Sequence, residues 1–207
     1  MLPLGDDNTD RKTTPIMTFA LSMVNFLVFF LEIIGGDAFI QKWAFVPSRF
    51  FANPLPNIMT IFTSMFMHAG WFHLISNMIY LWIFGDNVED RFGHKKFLIF
   101  YLLAGVGASL TEGFFSQNSN IPMVGASGAI AGVLGAYLLL YPTNRVRVLL
   151  FLRVAYLPAL FVIGSWFVLQ LFSGIGSMAI VADTGGVAYL AHVGGFISGF
   201  VMTLFFR

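Results

Sequence analysis

The 207-residue chain contains no cysteine and few charged residues. The absence of cysteine excludes disulfide bonds, thiol catalysis and cysteine metal sites. Charged residues make up 10% of the sequence, against roughly 25% in ordinary soluble domains, which excludes a mostly water-facing surface. The formal net charge is +1 and the sequence has no basic run, so nothing in it predicts a nucleic-acid partner.

Apolar residues are abundant: they form 57% of the chain, with 25 Phe, 10 Met and 21 Gly. This composition is typical of a helical membrane protein whose helices approach closely. The polar residues 1–14 are predicted to be a short cytoplasmic tail, and residues 15–207 a single membrane domain. The tail is not expected to be part of a cleavable signal peptide, because the apolar stretch that follows it is long and no small-residue cleavage site closes it.

Apolar runs of about 20 residues predict an all-α, polytopic fold with six transmembrane helices. Their approximate bounds are 16–34, 71–84, 97–115, 127–141, 148–172 and 187–206, with a helical piece at 58–67 before the second. The fourth run would extend only roughly 22 Å at 1.5 Å per residue. Its first residue is therefore expected below the membrane surface.

The distribution of Lys and Arg predicts that both termini lie inside. In this orientation the outer side keeps only Lys42 and Arg49. The inner side receives the other cations: Arg11, Lys12, Arg91, Lys95, Lys96, Arg145, Arg147 and Arg207. Arg153, near the inner end of the predicted fifth span, can reach the same side by snorkelling.

Four polar side chains on three spans are predicted to lie at one depth. His73 and Asn77 are four residues apart, so they share one face of the second span. Ser127 begins the fourth span, and His192 lies near the start of the sixth. Since all three spans run from outside to inside, these groups meet just below the outer surface. An imidazole beside a serine hydroxyl predicts nucleophilic catalysis.

Each polar residue also has a structural interpretation. Ser127 could cap the fourth helix, and His192 could be a packing histidine or part of a proton relay. His73 and Asn77 could be hydrogen-bonding glue between helices. Their coincidence at one depth favours a site. The two remaining histidines are expected at the membrane interface and in an inner loop, without a catalytic role: His68 and His94.

The outer halves of spans two, four and six contain no carboxylate. A Ser–His dyad is therefore predicted rather than a Ser–His–Asp triad. His73 and Asn77, with the backbone N–H of Ser127, could donate hydrogen bonds to an oxyanion.

Small residues beside the polar groups predict how the helices come close. Gly128 and Gly132 form one G-x-x-x-G spacing, and Gly195 and Gly199 form another. This spacing lets helix backbones approach closely in membranes. It is expected to bring the serine and the imidazole within hydrogen-bonding reach.

Three motifs together resemble the rhomboid family of intramembrane serine proteases. They are Gly-Ala-Ser-Gly at 125–128, His73-x-x-x-Asn77, and Ala191-His192-x-x-Gly195-x-x-x-Gly199. The resemblance extends over nearly the whole chain, because six spans with these motifs on the second, fourth and sixth form the family's minimal architecture. It implies a rhomboid-like bundle.

The resemblance implies that Ser127 is the nucleophile and His192 the general base, with His73 and Asn77 as oxyanion stabilisers. It also implies that Gly125 belongs to the loop bordering the nucleophile, and that the segment before the second span dips into the membrane. No cofactor or metal is implied. One departure is visible: Met59-Thr60 stands where the family often has a Trp-Arg pair.

The function predicted from these features is intramembrane serine endopeptidase, cleaving transmembrane segments of other proteins near the outer membrane face. The expected partners are single-span or other membrane proteins and the lipid bilayer; the oligomeric state is left open. Lateral substrate entry is expected past the fifth span and the Gly-rich segment 172–186. The compact chain favours a prokaryotic cytoplasmic membrane.

Two other classes of protein compete with this prediction. A transporter or channel would distribute polar groups through the full depth of the membrane, whereas this chain leaves the inner half apolar. A non-catalytic rhomboid-like binder of membrane proteins would use the same groove and tolerate Ser127→Ala.

Overall fold

The computed structural model describes residues 1–178 and 186–206. The helices are α1 (Ile16–Trp43), α2 (Pro47–Ala52), α3 (Pro54–Asn57), α4 (Thr60–Thr63), α5 (Trp71–Phe92), α6 (His94–Phe115), α7 (Ser127–Leu140), α8 (Ala159–Met178) and α9 (Tyr189–Phe206). The strands are β1 (Leu2–Gly5), β2 (Arg145–Leu150) and β3 (Arg153–Pro158), and one turn of 3-10 helix spans Ser64–Phe66. Arg207, predicted to lie inside, is outside the described residues.

The helical membrane class predicted from the sequence is confirmed. Within the described ranges, four helices are each long and apolar enough to cross a bilayer: α1, α6, α8 and α9. A fifth candidate span is α5 taken together with the short helical turns before it, from which it is bent. With the shorter α7, this arrangement is consistent with six spans. Large apolar side chains point outward, among them Ile34, Leu169 and Phe205 at 83%, 62% and 80% exposure, and such a surface suits lipid.

The centre of the bundle is α7. Every residue from Gly128 to Tyr137 is buried, which agrees with a helix that is apolar on all sides. Its 14 residues extend roughly 21 Å, less than the roughly 30 Å hydrocarbon core. Ser127 therefore begins the helix at a level inside the bundle.

The chain between α1 and α5 folds back on itself. Gly36 has a left-handed conformation, φ 55° and ψ −149°, which kinks α1 where the first span was predicted to end. Arg49 then fixes the segment by donating from Nη1 to the carbonyl of Gln41 at 2.5 Å and from Nη2 to that of Ala44 at 2.7 Å. Thr60 belongs to the Met59-Thr60 pair that departs from the family pattern. It is buried and donates to the carbonyl of Asn57 at 2.6 Å.

The prediction of a fifth span over 148–172 is wrong at its start. Residues from Arg145 to Pro158 form the β2–β3 hairpin, and the helix begins only at Ala159. The alternation of Arg145, Val146, Arg147 and Val148 is a period-two pattern, with both valines fully buried, and this is the signal of a strand with one covered face. The strand was not predicted because a long apolar run follows it directly.

β1 completes an antiparallel three-stranded sheet in the order β1-β2-β3. Leu2 pairs with Leu149 and Pro3 with Val148. The first residues of the predicted tail are therefore strand, and this sheet packs through Val146 and Val148 onto the main apolar core.

The end of the predicted fifth span also differs. α8 continues past residue 172 to Met178, and the glycines of this stretch are part of the helix. Residues 179–185 lie outside the described ranges, and Gly186 precedes α9.

A buried aspartate joins the sheet to the helices. Asp6 follows β1, and its Oδ2 accepts hydrogen bonds from the Tyr137 hydroxyl and from Asn87 Nδ2, both at 2.7 Å. Burial, with a smaller contribution from the nearby Asp86, raises the pKa of Asp6 from 3.8 to about 7, although the hydrogen bonds from Tyr137 and Asn87 lower it.

This shift predicts that the sheet docks less firmly in alkaline solution. A carboxyl whose pKa is raised in the folded state adds stability below its unfolded pKa and loses that contribution as the pH rises through about 7. We expect the Tm of the wild type to fall by several degrees between pH 5.5 and pH 8.5, and the Tm of Asp6→Asn to fall less. Equal falls in both proteins would contradict the assignment to Asp6.

Candidate active site

Ser127 and His192 contact each other. The Ser127 Oγ and the His192 Nε2 are 2.8 Å apart, with Ser127 as the first residue of α7 and His192 as the fourth of α9. Both side chains are half-buried. A hydroxyl that donates to an imidazole nitrogen has the geometry needed for its proton to be removed as the oxygen attacks a carbonyl.

Glycines on α7 and α9 create this contact. A Cβ added to Gly195 would strike the carbonyl oxygen of Gly128, and one on Gly199 would strike the backbone of Gly132. A Cβ on Gly128 or Gly132 would in turn meet Ala108 or Ala104 of α6. The two G-x-x-x-G spacings therefore lie directly on the helix contacts that bring His192 to Ser127.

His73, on α5, lies close to Gly125 beside the serine. A Cβ on Gly125 would lie 2.9 Å from both Cε1 and Nε2 of His73 and 3.6 Å from the Ser127 Oγ, so both side chains border the point where a Cβ on Gly125 would stand. Gly125 has φ +134°, which L side chains rarely adopt. His73 Nδ1 accepts from the Ala69 N–H at 3.4 Å, which leaves Nε2 as the N–H donor on the Gly125 side.

Asn77 is buried one turn below His73. Its Nδ2 donates to the His73 carbonyl at 3.0 Å. One of its two amide hydrogens is thus engaged within its own helix, and the other remains a donor. Ser127, His192 and His73 lie around the N-terminus of α7, and Asn77 lies one turn from His73 along α5.

Two residues of α8 that the sequence analysis missed contact His192. The Gln170 Oε1 lies 2.7 Å from the His192 Nδ1, and the Trp166 ring lies against the imidazole with centroids 5.8 Å apart. A glutamine inside an apolar span is costly without a partner, and this was the available signal for Gln170.

Glu112 of α6 supports the start of α9. Its Oε2 accepts from the backbone N–H of Ala191 at 3.0 Å, and its Oε1 accepts from the Ser116 hydroxyl at 3.1 Å. A carboxylate at a helix N-terminus satisfies a free N–H and favours the helix dipole. Glu112 therefore holds the turn that carries His192 without touching its imidazole.

The two remaining histidines contact other groups. His68 is only 1% exposed and its ring lies 5.1 Å from that of His73; its place at the membrane interface stays a prediction. Its backbone N–H donates to Glu32 at 2.9 Å, which fixes the turn before α5. His94 begins α6 and its Nδ1 contacts Glu89 at 2.5 Å.

The fold and this geometry define a class: a polytopic helical membrane protein with a Ser–His pair inside its bundle. The sequence model of the Rhomboid domain matches residues 56–207. The chain therefore belongs to the rhomboid family, as the motifs had predicted.

Curated relatives agree. The chain is 33% identical to the rhomboid protease GluP of Bacillus subtilis over 90% of this chain and 34% of the relative. It is 34% identical to RHOMBOID-like protein 6, mitochondrial, of Arabidopsis thaliana over 69% and 41%. It is 28% identical to the mitochondrial rhomboid protein 1 of Saccharomyces cerevisiae over 91% and 53%. The chain thus spans between a third and about half of the length of these relatives.

Proposed function

We propose that this chain is an intramembrane serine endopeptidase that cleaves transmembrane segments of other proteins near the outer membrane face. The observation that carries the proposal is the 2.8 Å contact between the Ser127 Oγ and the His192 Nε2 at the start of a buried helix. Family membership and a relative named as a protease support it.

The reaction follows the chemistry of the pair. The Ser127 Oγ attacks the scissile carbonyl carbon while the His192 Nε2 accepts its proton, and the carbonyl oxygen becomes an oxyanion. The protonated imidazole then gives that proton to the leaving amine as the C–N bond breaks, which leaves an acyl-enzyme. A water molecule then attacks the acyl carbon while His192 accepts its proton, and His192 returns that proton to the Ser127 Oγ as the acyl C–O bond breaks.

Donors for the oxyanion surround the start of α7. The first backbone N–H groups of a helix have no acceptor within it, so the N–H of Ser127 is available, and the helix dipole favours negative charge there. His73 Nε2, beside Gly125, and the second amide hydrogen of Asn77 supply side-chain donors. Such fixed donors stabilise charge that develops only in the transition state.

The expected substrates follow from the depth of the site. A transmembrane helix hides its peptide bonds in i to i−4 hydrogen bonds, so it has to unwind locally before Ser127 can attack. Substrates with Gly or Pro near the outer membrane surface unwind at lower cost. No metal or cofactor takes part in the proposed steps.

We also infer that both termini lie inside, because the distribution of Lys and Arg favours this orientation. We further infer that the membrane is a prokaryotic cytoplasmic membrane. Residues 15–207 then form the membrane domain. Residues 1–14 form an inner-side segment, whose strand β1 adds to the β2–β3 hairpin.

The proposal is tested by reconstituting the purified protein in liposomes with single-span substrates that carry Gly or Pro near the outer boundary. We expect cleavage within the outer part of the span, located by mass spectrometry of both fragments. If no helix-weakened substrate is cleaved while these substrates still bind, the chain is a non-catalytic binder of membrane proteins.

Gly125→Ala is expected to lower the cleavage rate about 10- to 100-fold, since a new methyl group would push His73 from its position beside the serine and remove an oxyanion donor. The rate is measured on the reconstituted substrate. Gly93→Ala is the matched control, because Gly93 also has a positive φ (+77°) but has nothing within 4 Å of an added Cβ. Equal losses in both variants would show that backbone strain, and not the contact with His73, is responsible.

A further inference from the structure

The imidazole of His192 is held from α8 on one face and one edge. Trp166 and Gln170 are one turn apart on that helix, so both point to the same side. Trp166 lies against the ring, and Gln170 places its Oε1 2.7 Å from Nδ1. Gln170 therefore meets the ring nitrogen that is opposite the one facing Ser127.

The two contacts at His192 determine its tautomer. A neutral imidazole has one N–H donor and one acceptor nitrogen. An amide oxygen only accepts, so a hydrogen bond to the Gln170 Oε1 requires the proton on Nδ1. Nε2 is then the free acceptor, and only in that state can it receive the proton of the Ser127 hydroxyl.

We propose that Gln170 is the positioning residue of His192: its amide oxygen selects the Nδ1–H tautomer and orients the ring toward Ser127. This inference rests on the proposed protease function. It assigns to a neutral amide the orienting task that a carboxylate has in a Ser–His–Asp triad. The Glu112 carboxylate beside this turn accepts a hydrogen bond from the Ala191 backbone instead.

A neutral partner also suits the surroundings. α8 is the least buried of the four long apolar helices, and an ionised carboxylate on such a span is costly. A glutamine supplies the acceptor without a charge. As His192 becomes protonated during attack, its Nδ1–H remains a donor to the same oxygen, so the contact persists through the reaction.

The proposal is tested with Gln170→Met, Gln170→Glu and the control Gln117→Met. Methionine has a similar length and no oxygen, whereas glutamate keeps an acceptor oxygen in either protonation state. Gln117 is exposed, and its amide donates to the carbonyl of Phe114. We expect kcat of Gln170→Met to fall about 10- to 100-fold, part of the about 10²- to 10⁴-fold contribution of a positioned general base, with KM changed less than about twofold.

Gln170→Glu is expected to recover most of the lost kcat, and Gln117→Met to match the wild type. A role in packing alone would predict a lower Tm for Gln170→Met and no recovery in Gln170→Glu. Wild-type kcat in Gln170→Met, or equal losses in the Met and Glu variants, would overturn the proposal.

Nitrogen-15 NMR of the histidine rings provides a readout that does not depend on cleavage. We expect Nδ1 of His192 to be protonated and Nε2 unprotonated in the wild type, with the Nε2–H tautomer gaining population in Gln170→Met. The His192→Ala spectrum identifies the signals. If the wild type neither cleaves nor reacts at Ser127, the protease function fails, while the tautomer change still decides the role of Gln170. An unchanged tautomer in Gln170→Met would overturn it.

Discussion

Ser127→Ala and His192→Ala are each expected to reduce cleavage of a reconstituted single-span substrate by about 10³-fold or more, because the members of a nucleophile–base pair act as a unit. The first variant removes the attacking oxygen. The second leaves the Oγ without the acceptor that now lies 2.8 Å away. Cleavage is measured as initial rates at saturating substrate, so that kcat is compared.

Ser165→Ala is the control for this experiment. Ser165 also lies within a span, but among the described residues its hydroxyl donates to the carbonyl of Val162 alone, at 3.1 Å. Its rate should equal that of the wild type, and the double variant of Ser127 and His192 should be no slower than either single variant. Cleavage that persists in both single variants would contradict the dyad.

Gly199→Ala is expected to have the largest effect on stability. The added methyl group would overlap the backbone of Gly132. A side chain could relieve such an overlap by changing its rotamer, whereas the backbone of a packed helix cannot. Overpacking costs about 1–3 kcal/mol, occasionally more. We place this variant at the upper end, with a fall in Tm of about 10 °C at about 2–4 °C per kcal/mol. Because α9 would move from α7, cleavage should fall as well.

Gly164→Ala separates this packing effect from the change of residue type. Gly164 lies within α8, and nothing is within 4 Å of an added Cβ. Alanine is favoured over glycine in a helix by about 0.5–1 kcal/mol, so the Tm should stay level or rise. A similar loss of Tm in both variants would contradict the close α7–α9 contact.

The sequence predicted most helices well because membrane helices are marked by long apolar runs. α1, α6, α7 and α9 begin or end within a few residues of the predicted bounds. The family and the membrane class are confirmed by the match over residues 56–207 and by the apolar helices.

The β2–β3 hairpin was missed because Arg153 is the only charged residue from Val148 to Pro158, so this part of the hairpin resembles the apolar run of a span. The residues of the turn did not indicate a hairpin either. Phe151 and Leu152 occupy positive-φ positions that usually hold Asn or Gly, and they are 92% and 93% exposed. The partner strand β1 lies more than a hundred residues away in the sequence. Such a pairing is decided by tertiary contacts and not by local propensity.

The candidate site was predicted in part. Ser127, His192, His73 and Asn77 carry recognisable spacings. The structure brings the first three around the start of α7 and places Asn77 one turn from His73; the catalytic roles of all four stay predictions. Gln170 belongs to no such spacing. Its contact with His192 depends on which face of α8 is turned toward α9. The sequence did not define that face, because the start of the fifth span was predicted wrongly.

The most direct test of the central claim is the reaction of the intact protein with a fluorophosphonate, followed by peptide mass spectrometry. If His192 activates Ser127, the wild type forms one adduct on the Ser127 Oγ, with loss of fluoride, and His192→Ala forms the adduct far more slowly. No adduct on Ser127, or one that forms equally fast without His192, would contradict the account.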